Sequence, residues 1–202
     1  MSRRRVLAAV WKHSFYTGWA QGERLEQELG CCAGKLEELL AAGLVEASEE
    51  GWRLTETGRA EISVVLAGGV FDILHPGHVF FLESARRLGD ALCAVVARDE
   101  TVRDRKRIPV VPERQRLEML RALKPVDVAL VGAEDMREVI RRVVPDVIAL
   151  GPDQRHTEEE IQEMCRALKL ECRVVRLGRY TSCPLPSTRS IIERVLELFG
   201  TS

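Results

Sequence analysis

Two patterns of hydrophobic residues divide the chain. Over residues 6–59 apolar side chains recur at helical spacing, whereas from Ser63 onward short Val, Ile, Leu and Ala runs alternate with amphipathic stretches. Glycine and polar residues interrupt the apolar period just before Ser63. The sequence therefore predicts two domains, one over residues 1–62 and the other over residues 63–202.

The first segment predicts a small helical domain with a hairpin. Residues 23–29 and 35–42 have helical periodicity, and the turn between them gives a helix-turn-helix spacing. Two short runs at 44–47 and 52–55, separated by a polar tip, follow as a hairpin. The arrangement resembles a winged-helix domain.

The second segment contains five candidate strands that are apolar along their length. Such strands are buried on both faces, and their alternation with helices implies right-handed crossovers. We therefore predict an α/β domain with a Rossmann-like, doubly wound parallel sheet of about five strands, whose ligands bind at the strands' C-terminal ends. The candidate strands are 63–67, 91–97, 127–131, 146–150 and 172–177.

Composition and charge argue against a dedicated nucleic-acid binder. Of the 202 residues 46% are hydrophobic and 30% are charged, and the formal net charge is -1. Residues 1–62 contain eight Lys or Arg and ten Asp or Glu, a net charge of -2, which is the wrong sign for releasing counterions from phosphates. We expect this segment to be a packing or dimerisation module. DNA binding stays the alternative, because Arg3, Arg4, Arg5 and Arg53 form a local basic edge.

The sequence predicts neither a secretory signal nor a membrane span, because the first apolar run breaks at Lys12 and His13. Its cysteines are scattered through a chain with ample apolar material. They are expected to be reduced thiols in a cytoplasmic protein. The six are Cys31, Cys32, Cys93, Cys165, Cys172 and Cys183.

The loop after the first strand of the second segment carries the most informative residues. It lacks the GxGxxG and GxxxxGK[ST] patterns, which removes the main support for a dinucleotide dehydrogenase or a P-loop NTPase. Gly68 and Gly69 let the backbone approach a phosphate, and His75 and His78 stand at a helix start, where anions are favoured. Two converging imidazoles would stabilise the charge that an attacked α-phosphate gains in its transition state.

This His-x-Gly-His arrangement, preceded by Gly-x-Phe-Asp between a strand and a helix, resembles the HxGH nucleotidyltransferase superfamily. In that superfamily a phosphorylated acceptor attacks the α-phosphate of a nucleoside triphosphate, and pyrophosphate leaves. The resemblance implies that His75 and His78 are catalytic. It also implies nucleotide contacts from Gly68, Gly69, Val70, Phe71, Asp72, His75 and His78.

Basic residues after the second strand are expected to contact the triphosphate. Lys106 lies where the superfamily places its phosphate-binding lysine, and a solvated charge run is the alternative for residues 103–107. In the next predicted helix Arg116, or its neighbour Arg114, is expected to hold phosphate through two parallel hydrogen bonds. The resemblance therefore assigns Lys106 a catalytic role and Arg116 a nucleotide-binding one.

Two later segments complete the predicted site. Gly151 and Asp153 follow the fourth strand, across the switch point from the His75 loop, where Asp153 is expected to contact ligand unless it belongs to a capping turn. Ser187 and Thr188 begin the last predicted helix, where hydroxyl and amide groups hold the β- and γ-phosphates. An N-cap by Ser187 is compatible with that role.

Residues 63–202 look most like archaeal FAD synthases. The resemblance implies transfer of AMP from ATP to FMN, with Mg²⁺ or another divalent metal. We expect the protein to be a homodimer. The second choice is a cytidylyltransferase acting on CTP and glycerol 3-phosphate or another phosphorylated alcohol. A DNA-binding regulator with a nucleotide-sensing domain is the alternative from another class.

Two residues near the predicted site have open roles. Asp72 is the best carboxylate candidate for a metal ligand, and the alternative is that it holds the loop by accepting backbone hydrogen bonds. Cys183 lies beside the predicted phosphate-binding helix, so its oxidation or alkylation is expected to reduce activity without a catalytic role.

Overall fold

The computed structural model describes residues 1–104, 108–178, 180 and 182–200, except for the side chain of residue 104. The chain divides into two compact units. The first consists of Met1–Val64 with Gly89–Ala91, and the second of Val65–Leu88 with Leu92–Ser202. No helix within the described ranges is long and apolar enough to cross a membrane.

The first unit contains four helices and a hairpin within its described residues. Their buried apolar side chains, including Val6, Leu7, Leu25 and Leu39, form its core. The helices overlap the two predicted ones, and assignment to the winged-helix class stays a prediction. In order, the elements are α1 (Arg3–Ser14), α2 (Gly22–Leu29), α3 (Ala33–Ala41), the antiparallel strands β1 (Val45–Ser48) and β2 (Gly51–Leu54), and α4 (Glu56–Ala60).

Helix α4 packs closely against the backbone of Leu44, the residue that precedes the hairpin. Thr55 caps the helix by accepting a hydrogen bond from Gly58 N, and its hydroxyl donates to Gly43 O at 2.7 Å. A Cβ atom on Gly58 would lie 1.8 Å from Leu44 O, so only glycine fits here.

The second unit is built on a five-stranded parallel sheet, as the apolar runs predict. The spatial order is β5-β4-β3-β6-β7. The chain moves outward from β3 to β5 and then returns to the other side of β3, which creates a switch point between β3 and β6. The strands are β3 (Val64–Gly69), β4 (Ala91–Val96), β5 (Val128–Val131), β6 (Val147–Leu150) and β7 (Arg173–Arg176).

Helices connect these strands and cover the sheet. Within the core, Val65, Ala67, Leu92 and Ala149 of the sheet pack with Leu82 of the first connecting helix, and all five are buried. These strands are apolar because both of their faces are covered. The helices are α5 (Pro76–Arg86), α6 (Asp99–Asp104), α7 (Glu113–Arg121), α8 (Met136–Val143), α9 (Glu158–Ala167) and α10 (Thr188–Phe199).

Candidate active site

Two stacked histidines stand where β3 gives way to α5. His75 is the N-cap of α5, with extended backbone angles φ -144° and ψ 165°, and Pro76 begins the helix. The rings of His75 and His78 stack with centroids 3.7 Å apart and an interplanar angle of 23°. Phe71 packs edge-on against His78 at 5.3 Å. The sequence spacing thus brings both imidazoles to one point at a helix N-terminus.

Burial changes both the ionisation and the hydrogen bonding of His75. It lowers the pKa of His75, because the charged form loses solvation. Within the described part of the chain, the Nδ1 atom of His75 is buried and has no hydrogen-bond partner. A buried polar atom without a partner is costly, and a ligand oxygen at this position would satisfy it.

His75 and His78 line a cavity of about 900 Å³, which we call the histidine cavity. It lies at the C-terminal ends of β3 and β6, where ligands of such sheets bind. Of the predicted site residues that the structure describes, all except Arg116 line it. These are Gly68, Gly69, Val70, Phe71, Asp72, His75, His78, Gly151, Asp153, Ser187 and Thr188.

Gly77 permits the close contact between α5 and the segment before α10. A Cβ atom there would lie 2.4 Å from Pro186 O and 3.0 Å from the Nδ1 atom of His75. Ser187 caps α10, accepting a hydrogen bond from Ser190 N at 3.1 Å, and it still lines the cavity. The two helix N-termini therefore face one cavity.

Asp72 holds the loop together. Its carboxylate accepts hydrogen bonds from Val110 N and Val111 N, both at 2.9 Å, and it is only 4% exposed. The Thr188 hydroxyl donates to Asp72 O at 2.5 Å. Both carboxylate oxygens are thus engaged by backbone, which favours the loop-holding role over metal ligation. Within the described residues, no group of three or more His, Cys, Asp or Glu side chains is placed to hold a metal ion.

Arg116 departs from its expected role as a direct phosphate contact. Its side chain is fully buried, and it does not line the histidine cavity. The guanidinium donates to Val111 O at 2.8 Å, to Val70 O at 2.5 Å and to Asp99 Oδ1 at 2.5 Å. All three acceptors belong to the protein and hold the guanidinium in its interior. Arg116 therefore stabilises the loop that follows β3, through its hydrogen bond to Val70 O.

Lys106 lies outside the described residues, as do Arg105 and Arg107, so its phosphate-binding role stays a prediction. Asp99, at the start of α6, accepts the Arg116 hydrogen bond, and Val110 donates to Asp72.

A second cavity of about 620 Å³ adjoins the first. It shares Gly68, Gly69, Val70, Asp153 and Gln154 with the histidine cavity. The rest of its wall is largely apolar, with a polar rim that includes acidic and basic side chains. The apolar part includes Leu66, Val102, Met136, Val139, Ile148 and Met164, and the rim includes Arg98, Glu134, Asp135, Arg155 and His156.

Comparison with known proteins identifies the family. The cytidylyltransferase-like family model matches residues 66–194, a range that holds every residue lining either cavity. The chain belongs to the cytidylyltransferase-like family. This confirms the resemblance predicted from the loop between β3 and α5.

Relatives of this cytidylyltransferase-like chain include archaeal FAD synthases. The one from Methanopyrus kandleri is 52% identical over 139 residues, covering 67% of this chain and 93% of the relative. The one from Methanothermobacter marburgensis is 49% identical over 144 residues, covering 69% of this chain and 89% of the relative. A solved structure, a lipopolysaccharide core biosynthesis protein from Thermoplasma volcanium, shares 42% identity with a TM-score of 0.58, covering 59% of this chain and 99% of that one.

Sequence reasoning missed several residues that lie at or next to the two cavities of this cytidylyltransferase-like chain. Gln154 lines both cavities, and its side-chain amide donates to Gly68 O. Arg189 and Glu193 of α10 line the histidine cavity and pair with each other at 2.8 Å. Arg176 is the last residue of strand β7, and a charged residue at the carboxyl end of a parallel strand, where ligands of such sheets bind, is the signal that would have pointed to it.

Proposed function

We propose that this protein is an FAD synthase that transfers AMP from ATP to FMN. The observation that carries the proposal is the 52% identity to the Methanopyrus kandleri FAD synthase over 93% of that protein. The two adjoining cavities support it, because the reaction needs space for a nucleoside triphosphate and for a second substrate that carries an aromatic ring system.

The reaction requires little covalent chemistry from the protein. An oxygen of the FMN phosphate forms a bond to the α-phosphorus of ATP, the bond from that phosphorus to the bridging oxygen breaks, and pyrophosphate leaves. The FMN phosphate is already ionised near neutral pH, so no general base is needed. His75 and His78 supply N–H donors to the charge that develops on the α-phosphate oxygens.

In this proposal ATP occupies the histidine cavity and the flavin occupies the second one. The glycine-rich backbone at Gly68 and Gly69 borders both, so the reacting phosphates meet beside it. Ser187 and Thr188 at the start of α10 hold the outer phosphates, where helix amides favour anions. The apolar wall of the second cavity suits the isoalloxazine ring.

The divalent metal enters, in this proposal, as part of the ATP substrate. Mg²⁺ keeps several waters and is commonly held through substrate phosphates with one or two carboxylates. Asp153 and Glu193 line the histidine cavity, and the engaged Asp72 is a poor choice for ligation. When bound, the metal would neutralise charge on the leaving pyrophosphate.

The test is an assay of the purified, reduced protein with Mg²⁺, reading pyrophosphate and nucleotide products. ATP plus FMN is expected to give FAD, and CTP plus glycerol 3-phosphate is expected to give no product. CDP-glycerol formation without FAD would overturn the substrate assignment. His78→Ala is expected to lower kcat by about 100-fold or more, since it removes a transition-state donor. Near-normal turnover in that variant would refute the mechanism.

The exposed side of α10 supports a homodimer as the working assembly. Five apolar side chains on this helix are 38–77% exposed, which leaves a large uncovered face beside the histidine cavity. A self-complementary apolar face suits a twofold interface between two copies. Phe199→Asp is expected to yield monomers in sedimentation velocity. A wild-type protein that sediments as a monomer would refute the homodimer. The five side chains are Ile192, Val195, Leu196, Leu198 and Phe199.

For the first unit we propose a packing or dimerisation role over DNA binding. Three of the four arginines of its basic edge are paired with carboxylates: Arg3 with Glu61 at 2.7 Å, Arg4 with Asp90 at 3.6 Å, and Arg53 with Glu46. Paired cations have less charge to offer phosphates. A gel-shift titration at low and moderate salt is expected to show no complex, and a shift with a steep salt dependence would establish DNA binding.

A further inference from the structure

Arg176, the last residue of β7, makes five hydrogen bonds with residues 151–158. Its guanidinium donates to Gly151 O at 2.9 Å, to Gln154 O at 3.2 Å and to His156 O at 2.6 Å. It also forms two bonds with the Glu158 carboxylate, at 2.9 and 3.1 Å. One side chain thus fastens three backbone carbonyls of the loop 151–157 to the first residue of α9.

That loop forms the boundary between the two cavities. Its residues Asp153 and Gln154 line both of them, and Gly151 lines the histidine cavity. The Gln154 side chain donates to Gly68 O, which belongs to the glycine-rich backbone at the same boundary. A continuous chain of hydrogen bonds therefore runs from Arg176 through Gln154 to Gly68.

Arg176 itself lines neither cavity, so any effect it has on the reaction must pass through the loop. We propose that Arg176 is a positioning residue, which fixes the loop 151–157 so that both substrates meet their shared wall in the correct geometry. This proposal rests on the proposed function, since it assigns the two cavities to two substrates. Nothing in it requires Arg176 to touch either substrate.

Arginine is suited to this task by the shape of its charged group. The planar guanidinium has five N–H donors in a fixed fork, and here they serve four separate acceptor groups. Lysine keeps the charge but has three donors on a single atom, so it cannot reach all of these acceptors at once. Arg176→Lys therefore removes the fork while preserving the charge beside Glu158.

We expect a kinetic effect on both substrates, because the loop 151–157 forms part of the wall of both cavities. Arg176→Lys raises KM for both ATP and FMN at least fivefold and lowers kcat/KM by about 10- to 100-fold, since misplacement near 1 Å costs about that much. Arg173→Lys is the matched control, because Arg173 lies on the same strand with an exposed side chain. It stays within twofold of wild type. Unchanged KM values for both substrates in Arg176→Lys would overturn the proposal, because a merely structural role would reduce only the active fraction.

A second readout needs no substrate and so separates this proposal from the proposed function. Arg155 lies exposed in the middle of the loop, and trypsin cleaves after it. Cleavage after Arg155, measured by mass spectrometry relative to cleavage after the exposed Arg166 of α9, is at least fivefold faster in Arg176→Lys than in wild type or Arg173→Lys. An unchanged ratio would show that Arg176 does not hold the loop, whatever substrates the enzyme uses.

Discussion

Replacing Gly77 with alanine has two opposing effects on stability: alanine favours the helix, but its Cβ clashes with a neighbouring carbonyl oxygen. Gly77 is the second residue of α5, where alanine is favoured by up to about 1 kcal/mol on intrinsic propensity alone. The added Cβ, however, would lie 2.4 Å from Pro186 O, whereas a carbon and a carbonyl oxygen need about 3.3 Å. The backbone must therefore open by about 0.9 Å, between the His75 loop and the start of α10.

Because this opening separates the histidines from Ser187 and Thr188, Gly77→Ala is expected to lower kcat/KM for FAD formation by about 10- to 100-fold. Overpacking of this kind costs about 1–3 kcal/mol, so the unfolding temperature of the protein should fall by about 2–12 °C. The assay is pyrophosphate release under saturating ATP and varied FMN, with calorimetry of the same samples.

Gly178→Ala is the matched control for this experiment. Gly178 lines the same cavity, but a Cβ there meets nothing within 4 Å. It should retain activity within about threefold of wild type. If Gly77→Ala were as active and as stable as Gly178→Ala, the steric argument for the contact with Pro186 would be refuted.

Further predictions concern ionisation, thiol reactivity and the first unit. Burial lowers the pKa of His75, so the folded state loses stability as pH falls below about 6.5. ATP binding should raise the pKa of His75, which an NMR titration of the ring protons measures. Burial raises the pKa of the Cys93 thiol to about 12, so N-ethylmaleimide at pH 8 should label exposed Cys31 long before Cys93, as peptide mass spectrometry would reveal. Gly58→Ala should destabilise the first unit by more than 2 kcal/mol in urea unfolding, whereas Gly34→Ala, which meets nothing within 4 Å, should be neutral or stabilising.

The sheet and the histidine loop were predictable because their signals are local. Apolar runs of strand length separated by amphipathic stretches predict the order of β3 to β7 along the chain, and the continuous hydrophobicity of β3 to β6 indicates burial on both faces. His75 and His78 lie three residues apart across a proline-started helix, so their proximity follows from helix geometry. Neither inference depends on distant parts of the chain.

The roles of Arg116 and Asp72 depend on long-range contacts and were less predictable. An arginine on a predicted amphipathic helix is usually exposed, but here loop carbonyls and Asp99 satisfy its donors and allow complete burial. Asp72 accepts hydrogen bonds from backbone amides 38 and 39 residues away. No local pattern indicates either set of partners.

The hydrogen bond from the Thr188 hydroxyl to Asp72 O joins residues 116 positions apart. During synthesis from the N-terminus, the strands β3 to β7 leave the ribosome before this bond has its donor. The sheet has all of its strands at that stage, while the wall that α10 gives to the histidine cavity is missing. An incomplete chain ending before Thr188 would therefore contain every strand of the sheet but lack a finished phosphate site, so this site depends on a segment that is synthesised after all of the strands.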